Sequence, residues 1–206
     1  MKGGQTASEV DRVGLRLQRR KQQAEAGDII LLFGDQSEAL THPYLARVWA
    51  ASGADLRGPA PGQAKKGAIL GSFDHVTREL IVHTSPTKRS RDFIADLEQL
   101  DALYGPQPGR QAKPVVLVAD NGPIHTRQRS LAALAARAPW LTVEWRPKSA
   151  PEPNDIEVVW HHLKADHLAH QTFTDAAALD QAIHAAVTDL NRERMRDPLA
   201  KPRISA

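Results

Sequence analysis

Residues 114–119 form an almost uninterrupted apolar run that leads straight into Asp120. A run this short, rich in valine and without polar alternation, is the pattern of a central strand covered on both faces. Covering both faces requires helices above and below a sheet, so the run constrains the chain to an α/β arrangement. A second apolar run, residues 29–34, leads into Asp35 in the same way. A carboxylate at a strand end leaves the buried core while keeping a rigid backbone behind it. Glu157, in Pro-Glu-Pro-Asn-Asp-Ile-Glu-Val-Val-Trp, opens a helix, so folding can bring three acids to one rim. Each of them alone reads as a turn or cap residue; the joint pattern is what suggests a site.

The rest of the chain fits around these strands. Residues 8–26 are helix-compatible, with Val10, Val13, Leu15 and Leu17 among Arg12, Arg16, Arg19, Arg20 and Lys21, and read as a basic helix packed lightly on the domain. Its cations form either a solvated face or a DNA-contacting surface. Gly27 and Asp28 break the pattern before the first strand. Residues 53–63 are a Pro/Gly-rich loop, and residues 67–73 and 79–84 resemble the strands of a hairpin, which makes three adjacent antiparallel strands. Residues 91–103 carry Phe93, Ile94, Leu97, Leu100 and Leu103 at helical spacing, a core-facing stripe. A helix over 127–138, a strand over 141–145 and the helix of Glu157 complete a β-β-β-α-β-α-β-α order. The domain reading is a basic helix over 1–26, one α/β domain over 27–190 and a tail over 191–206.

Composition narrows the class. The chain has 206 residues, 41% hydrophobic, enough for one good core. It contains no cysteine, so the fold rests on packing and no thiolate metal site exists. No apolar run approaches the roughly 20 residues that span a bilayer, and the expectation is a cytoplasmic chain without membrane contact. The formal charge of +3 favours a polyanionic partner only mildly.

Three separated acids suit metal-assisted phosphodiester chemistry. Cleavage needs an activated attacking oxygen and a stabilised leaving oxygen in line, which two divalent ions about 3.5 to 4 Å apart supply. Carboxylate oxygens match hard ions such as Mg2+ or Mn2+, while substrate phosphate and water complete each shell. Asp155 is a competing ligand in principle, but a residue two positions earlier on a helix points about 200° away from Glu157. His161, His162, His167 and His170 do not have the spacing of a zinc-binding helix.

Two motifs carry a family resemblance. Asp120, Asn121, Gly122, Pro123, Ile124 and His125 match an Asp-Asn-x-x-x-His motif that follows a hydrophobic strand. Residues 147–164 match a Pro-x-Ser-Pro-x-x-Asn-Pro-Ile-Glu-x-x-Trp-x-x-Leu-Lys motif through Pro147, Ser149, Asn154, Ile156, Glu157, Trp160, Leu163 and Lys164. Between Asp120 and Glu157 lie 36 residues, close to the spacing of that superfamily. From about Asp28 to Ala169 the chain resembles the catalytic domain of a mariner-like DDE transposase of the bacterial insertion-sequence branch. The resemblance implies an RNase H-like fold, a mixed central sheet of three antiparallel strands followed by parallel strands, flanked by helices. It implies Asp35, Asp120 and Glu157 as the catalytic, metal-holding acids, with two Mg2+ ions as cofactor and Mn2+ as substitute. Asp35 matches the first acid through its strand and the downstream Trp49 and Gly53. Asn121, His125 and Asn154 are expected to position the acids, and His161 and Lys164, on the face of Glu157, to meet DNA.

The implied activity is cleavage of transposon ends and transfer of the freed 3' hydroxyl into target DNA, by a homodimer acting at the nucleoid. The chain departs from the pattern where Gln36 stands in place of a common second acid and Asp155 in place of proline. It also lacks the helix-turn-helix modules of related full-length transposases, which implies a partner or a further N-terminal region that recognises the ends. Lys65, Lys66, Lys88, Arg89, Arg91, Arg127 and Arg129 are expected to give weak, salt-sensitive DNA affinity. The alternatives are an RNase H-like nuclease without a joining step and a catalytically silent DNA-binding remnant.

Overall fold

The computed structural model describes residues 7–44, 52, 63–109, 112–146 and 155–196. The expected positions Trp49, Gly53 and Asn154, most of the loop over 53–63 and the last ten residues lie outside them. Helix α1 (Ala7–Glu25) is followed by strands β1 (Ile30–Leu40), β2 (Lys66–Asp74) and β3 (Leu80–Ser85). Next come helix α2 (Ser90–Tyr104), strand β4 (Val115–Asp120), the single turn α3 (Pro123–Thr126) and helix α4 (Gln128–Arg137). Strand β5 (Leu141–Arg146), helix α5 (Asp155–His162) with a π-helical turn over Leu163–His167, and helix α6 (Ala176–Arg196) complete the chain.

The strands form one sheet in the order β3-β2-β1-β4-β5. The first three are antiparallel, and β1, β4 and β5 run parallel, as the resemblance implied. Odd and even positions of the central strands feed two separate cores. On one face Leu31, Phe33, Val116 and Val118 pack with Ile156, Val159 and Trp160 of α5 and Leu179, Ile183 and Val187 of α6. On the other, Leu32, Leu117 and Ala119 pack with Phe93, Leu97 and Leu100 of α2 and Leu134 of α4. The continuous apolar run over 115–119 is therefore the trace of a strand with no solvent face.

Three expectations are corrected. First, β1 does not end at Asp35 but runs on to Leu40, because β2 pairs with it from Leu32↔Asp74 to Leu40↔Lys66 and satisfies its backbone on that edge. Asp35 thus lies within a strand. Second, part of the basic face of α1 is paired with the domain: Arg16 and Arg20 meet Glu144 on β5 and Lys21 Nζ lies 3.2 Å from Asp155, while Arg12, Arg16 and Arg19 stay exposed. Ala24 is buried beside them. Gly27, at φ +84°, ends α1 where any other residue would be strained. Third, α6 has no counterpart in the sequence-derived order and crosses the division drawn at residue 190. Asn191 hydrogen-bonds both the backbone N–H and the carbonyl of Leu80 at the edge strand β3. Among the described residues no helix is long and apolar enough to cross a membrane.

Gly71 on β2 is the tightest point of the α5 face. A Cβ there would lie 2.5 Å from Cη2 and 2.8 Å from Cζ2 of Trp160. Gly71→Ala is therefore expected to push the buried indole off the sheet and to cost about 1–3 kcal/mol, as overpacking does. A urea melt that matches the parent protein would exclude this.

Candidate active site

The pairing of β1 with β4 stops at Phe33↔Val118. Two residues further, the same register would set Asp35 opposite Asp120. There the strands part, because β1 stays with β2 while the end of β4 pairs with β5 through Ala119↔Trp145 and Asp120↔Arg146. Gly34 allows the close approach at this fork, where a Cβ would meet Leu117 Cδ1 at 3.0 Å. A crevice at the carboxyl ends of parallel strands is the usual ligand position in open α/β sheets. Alternation places Asp35 with Phe33 and Asp120 with Val118, on the face that carries α5. Glu157 stands exposed in the first turn of α5.

These three acids feel one another. Burial above all pushes the Asp35 carboxyl above its ordinary value; the negative charges of Glu157 and Asp120 add to the rise, while a backbone N–H bond at Gln36 and a bond from Trp160 oppose it. The indole Nε1–H of Trp160 donates to Asp35 Oδ2 at 3.1 Å. Asp120 Oδ1 accepts from the backbone N–H of Gly122 at 3.0 Å and lies 3.3 Å from His125 Nε2. The hydrogen bond that fixes this turn is thus made by Asp120 itself, with Asn121 exposed beside it. His125 is buried, edge-on to Phe93 with ring centroids 4.4 Å apart, and its Nε2 also meets the side-chain amide nitrogen of Gln36 at 2.8 Å.

Asp155 is engaged elsewhere, by Lys21 and by His75 Nδ1 at 3.3 Å. Burial opposes its ionisation, but His75 and Lys21 outweigh that and hold its carboxyl below the ordinary value. Lys164 is partly buried. Burial, then Lys88, lower its affinity for a proton, while Glu38 and Asp35 raise it. The cation therefore sits within electrostatic reach of Asp35. His161 is exposed on α5, one turn after Glu157.

Among the described residues no three His, Asp or Glu side chains are grouped tightly enough to enclose an ion. The donor set nonetheless suits a hard divalent cation. Asp35, Asp120 and Glu157 offer only carboxylate oxygens, and their mutual repulsion at Asp35 is the charge imbalance that such an ion relieves. Sequence reasoning missed the roles of Trp160, which entered it only as a motif residue, and of Gln36. For Trp160 the signal was its i+3 spacing from Glu157. No local signal marked Gln36, whose contact arises only when the segment after β4 folds back over the sheet.

The family described as DDE superfamily endonuclease matches residues 30–180, nearly three quarters of the chain. The chain belongs to that family. All three acids fall within the matched span. Its fold is similar to Mos1 transposase in a paired-end complex with the left transposon end, with a TM-score of 0.58 and 16% identity over 95% of this chain and 62% of that one. It is likewise similar to a pre-cleavage Mos1 transpososome, with a TM-score of 0.58, 16% identity and coverage of 95% and 65%. A Mos1 mariner paired-end complex with Mn gives 0.56, 14%, 94% and 62%. At such identities the likeness is one of fold, and the chain spans just over three fifths of those chains. No curated protein matches it.

Removing the Trp160 hydrogen bond tests the electrostatics of the site. Trp160→Phe keeps an aromatic ring but deletes the Nε1–H that favours the ionised Asp35, so the Asp35 pKa is expected to rise further. A carboxyl-carbon NMR titration in which Asp35 titrates as in the parent would contradict the assignment.

Proposed function

We propose that this DDE endonuclease is the catalytic domain of a DNA transposase, and that Asp35, Asp120 and Glu157 hold its divalent metal ions. The observation that supports this most is the fork between β1 and β4, which aligns Asp35 with Asp120 on the face carrying Glu157. Mg2+ fits the oxygen donors, with Mn2+ as substitute. When bound, two such ions supply activation of the attacking oxygen and stabilisation of the leaving one.

The protein's own residues perform the positioning. Trp160 holds Asp35 by its Oδ2, and His125 and the Gly122 N–H hold Asp120 by its Oδ1. Lys164 lies where it can neutralise a phosphate near Asp35. In the first reaction a water oxygen bonds to phosphorus and the P–O3' bond breaks, leaving a 3' hydroxyl and a 5' phosphate. In the second, that 3' oxygen bonds to a target phosphorus and displaces the target's own 3' oxygen. The same in-line geometry serves both steps, so one site suffices.

DNA as partner has independent support. Arg89, Ser90, Arg91, Ile94, Arg127, Gln128 and Arg129 line a cleft of about 510 Å3. It lies where α2 and α4 begin, and helix N-termini favour phosphate. Arg127 follows His125 by two residues, so the cleft adjoins the Asp120 loop. Lys66 and Lys88 share Glu38, at 3.4 and 3.1 Å, and their charge is partly neutralised. We further propose that the transposase works as a homodimer, since two ends must be processed together. End recognition requires a helix-turn-helix partner or a further N-terminal region, and the setting is a bacterial cytoplasm with the nucleoid as its place of action.

Labelled DNA carrying the element's own ends, supplied with Mg2+ or Mn2+ and the end-recognition module, tests the reading. Cleavage and joining are expected, and Asp120→Asn and Glu157→Gln should each reduce both beyond the roughly 10- to 100-fold loss typical of an outer partner of a metal ligand. Cleavage without joining would favour the plain nuclease; inactivity of the parent protein in the complete mixture would favour the silent remnant. Arg127→Ala with Arg129→Ala should weaken binding uniformly across DNA sequences and lower the salt slope by about 1–2. A slope identical to the parent's would remove the cleft from the DNA path.

A further inference from the structure

Helices α2 and α4 both begin at the edge of the sheet where β4 delivers Asp120. Strand β3 is antiparallel to β2 and therefore runs in the direction of β1 and β4, and each helix follows its strand back across the sheet. In their last turns the Arg137 guanidinium meets the Asp101 carboxylate, with Nε 3.0 Å from Oδ1. The two helices thus lie parallel with their starts side by side, and the cleft of about 510 Å3 opens between those starts.

The residues at these starts are poor ones for helices that stand alone. Both N-cap positions are arginines, Arg89 and Arg127. A good N-cap offers an oxygen to the first N–H groups, and an arginine has no acceptor to offer. Arg91 and Arg129 add two more cations in the first turns, where the helix dipole already presents positive charge. Of the four guanidiniums only that of Arg91 has a carboxylate in ion-pair reach among the described residues, Asp92 at 3.4 Å. Cations and helix starts gathered around one cleft repel one another unless an anion is held between them. Ser90 points the same way on separate grounds. It is the one buried residue of the lining, 8% exposed, and its Oγ has no hydrogen-bond partner. A hydroxyl orphaned at the floor of a cationic cleft is costly until an oxygen reaches it.

We propose that this cleft seats a terminal 5' phosphate of DNA, the group left when the P–O3' bond is hydrolysed. The identity of the occupant rests on the function proposed above; the preference of the cleft for an anion does not. An internal phosphodiester carries a single negative charge and has chain on both sides. A terminal phosphate carries about −1.5 to −2 at pH 7 and has three acceptor oxygens. Those oxygens match donors that converge from two helix starts, from Ser90 and from the guanidinium forks. The position agrees with this occupant. His125, two residues before Arg127, lies 3.3 Å from Asp120, so the seat adjoins the loop that follows one of the acids. It nevertheless belongs to the α2 and α4 side of the sheet and not to the α5 face. A 5' end held there stays on the protein after cleavage and leaves the acids free for the joining step.

The test uses the full chain without added metal and two short DNA duplexes of one sequence, one ending in a 5' phosphate and the other in a 5' hydroxyl. Fluorescence anisotropy at one salt concentration compares them. The phosphorylated duplex is expected to bind about 10-fold more tightly, as a few charge-assisted hydrogen bonds provide. Arg89→Asp puts a carboxylate at the start of α2 and should remove this preference, while the melting temperature holds or rises because aspartate is a favoured N-cap. Arg127→Ala with Arg129→Ala should remove the preference as well, and Ser90→Ala should lower it in part. Equal affinity of the parent protein for the two duplexes would overturn the proposal; if Arg89→Asp then weakened both alike, the cleft would be a contact for internal phosphodiesters. A preference that survives both Arg89→Asp and the double arginine variant would overturn it too, by placing the 5' end elsewhere. If cleavage and joining fail in the complete mixture while the preference holds, the seat stands and the transposase reading falls. If the parent protein cleaves and joins without any preference, the reverse is true.

Discussion

Strand β1 is held on both edges as far as Phe33 and on one edge beyond it, and the site depends on that asymmetry. At Leu32 and Phe33 the strand is paired with both β2 and β4; past them, β2 alone carries it to Leu40, while β4 stays paired with β5 along its whole length. A carboxylate at Asp35 can be tolerated there because the neighbouring edge is open, while the strand behind it stays rigid. Had β4 continued along β1, Asp35 and Asp120 would face each other across a closed ladder. The fork takes them off a shared ladder yet leaves the charge of Asp120 near enough to raise the proton affinity of Asp35.

Helix α5 completes the arrangement from above. Its apolar side, Ile156, Val159 and Trp160, is buried in the larger core, which fixes the helix relative to the sheet and carries Glu157 with it. Gly71 sets the height of the helix, because its missing side chain is where the indole sits. The same indole then hydrogen-bonds Asp35, so packing and charge are coupled through one residue. At the N-terminus of α5, Asp155 is tied by Lys21 to α1 and by His75 to the β2–β3 turn. These ion pairs are partly buried and tether three elements at one point, which is of more use to geometry than to stability.

How far all this was readable from the chain differs by element. The strand over 115–119 was unmistakable, since a strand buried on both faces leaves an unbroken apolar trace. The hairpin of β2 and β3 and the stripe of α2 followed from periods of 2 and 3.6. The extension of β1 to Leu40 was not readable, because Gly34, Asp35 and Gln36 break the apolar pattern and only pairing with β2 keeps them extended. Helix α6 was passed over although Leu179, Ile183 and Leu190 recur at helical spacing. The cations of α1 looked like a surface because their partners, Glu144 and Asp155, lie more than a hundred residues away.

The sequence by itself determined the fold class and the strand that carries Asp120, and it singled out three acids as candidates, because local apolar periods and short motifs are properties of neighbouring residues. Only the tertiary structure decided where the acids stand, that Trp160 hydrogen-bonds Asp35, and that His125 lies between Asp120 and Gln36. Those contacts link residues far apart in the chain, and their energy comes from burial and from charge at short range. Neither quantity exists until the sheet has formed and the helices have closed over it.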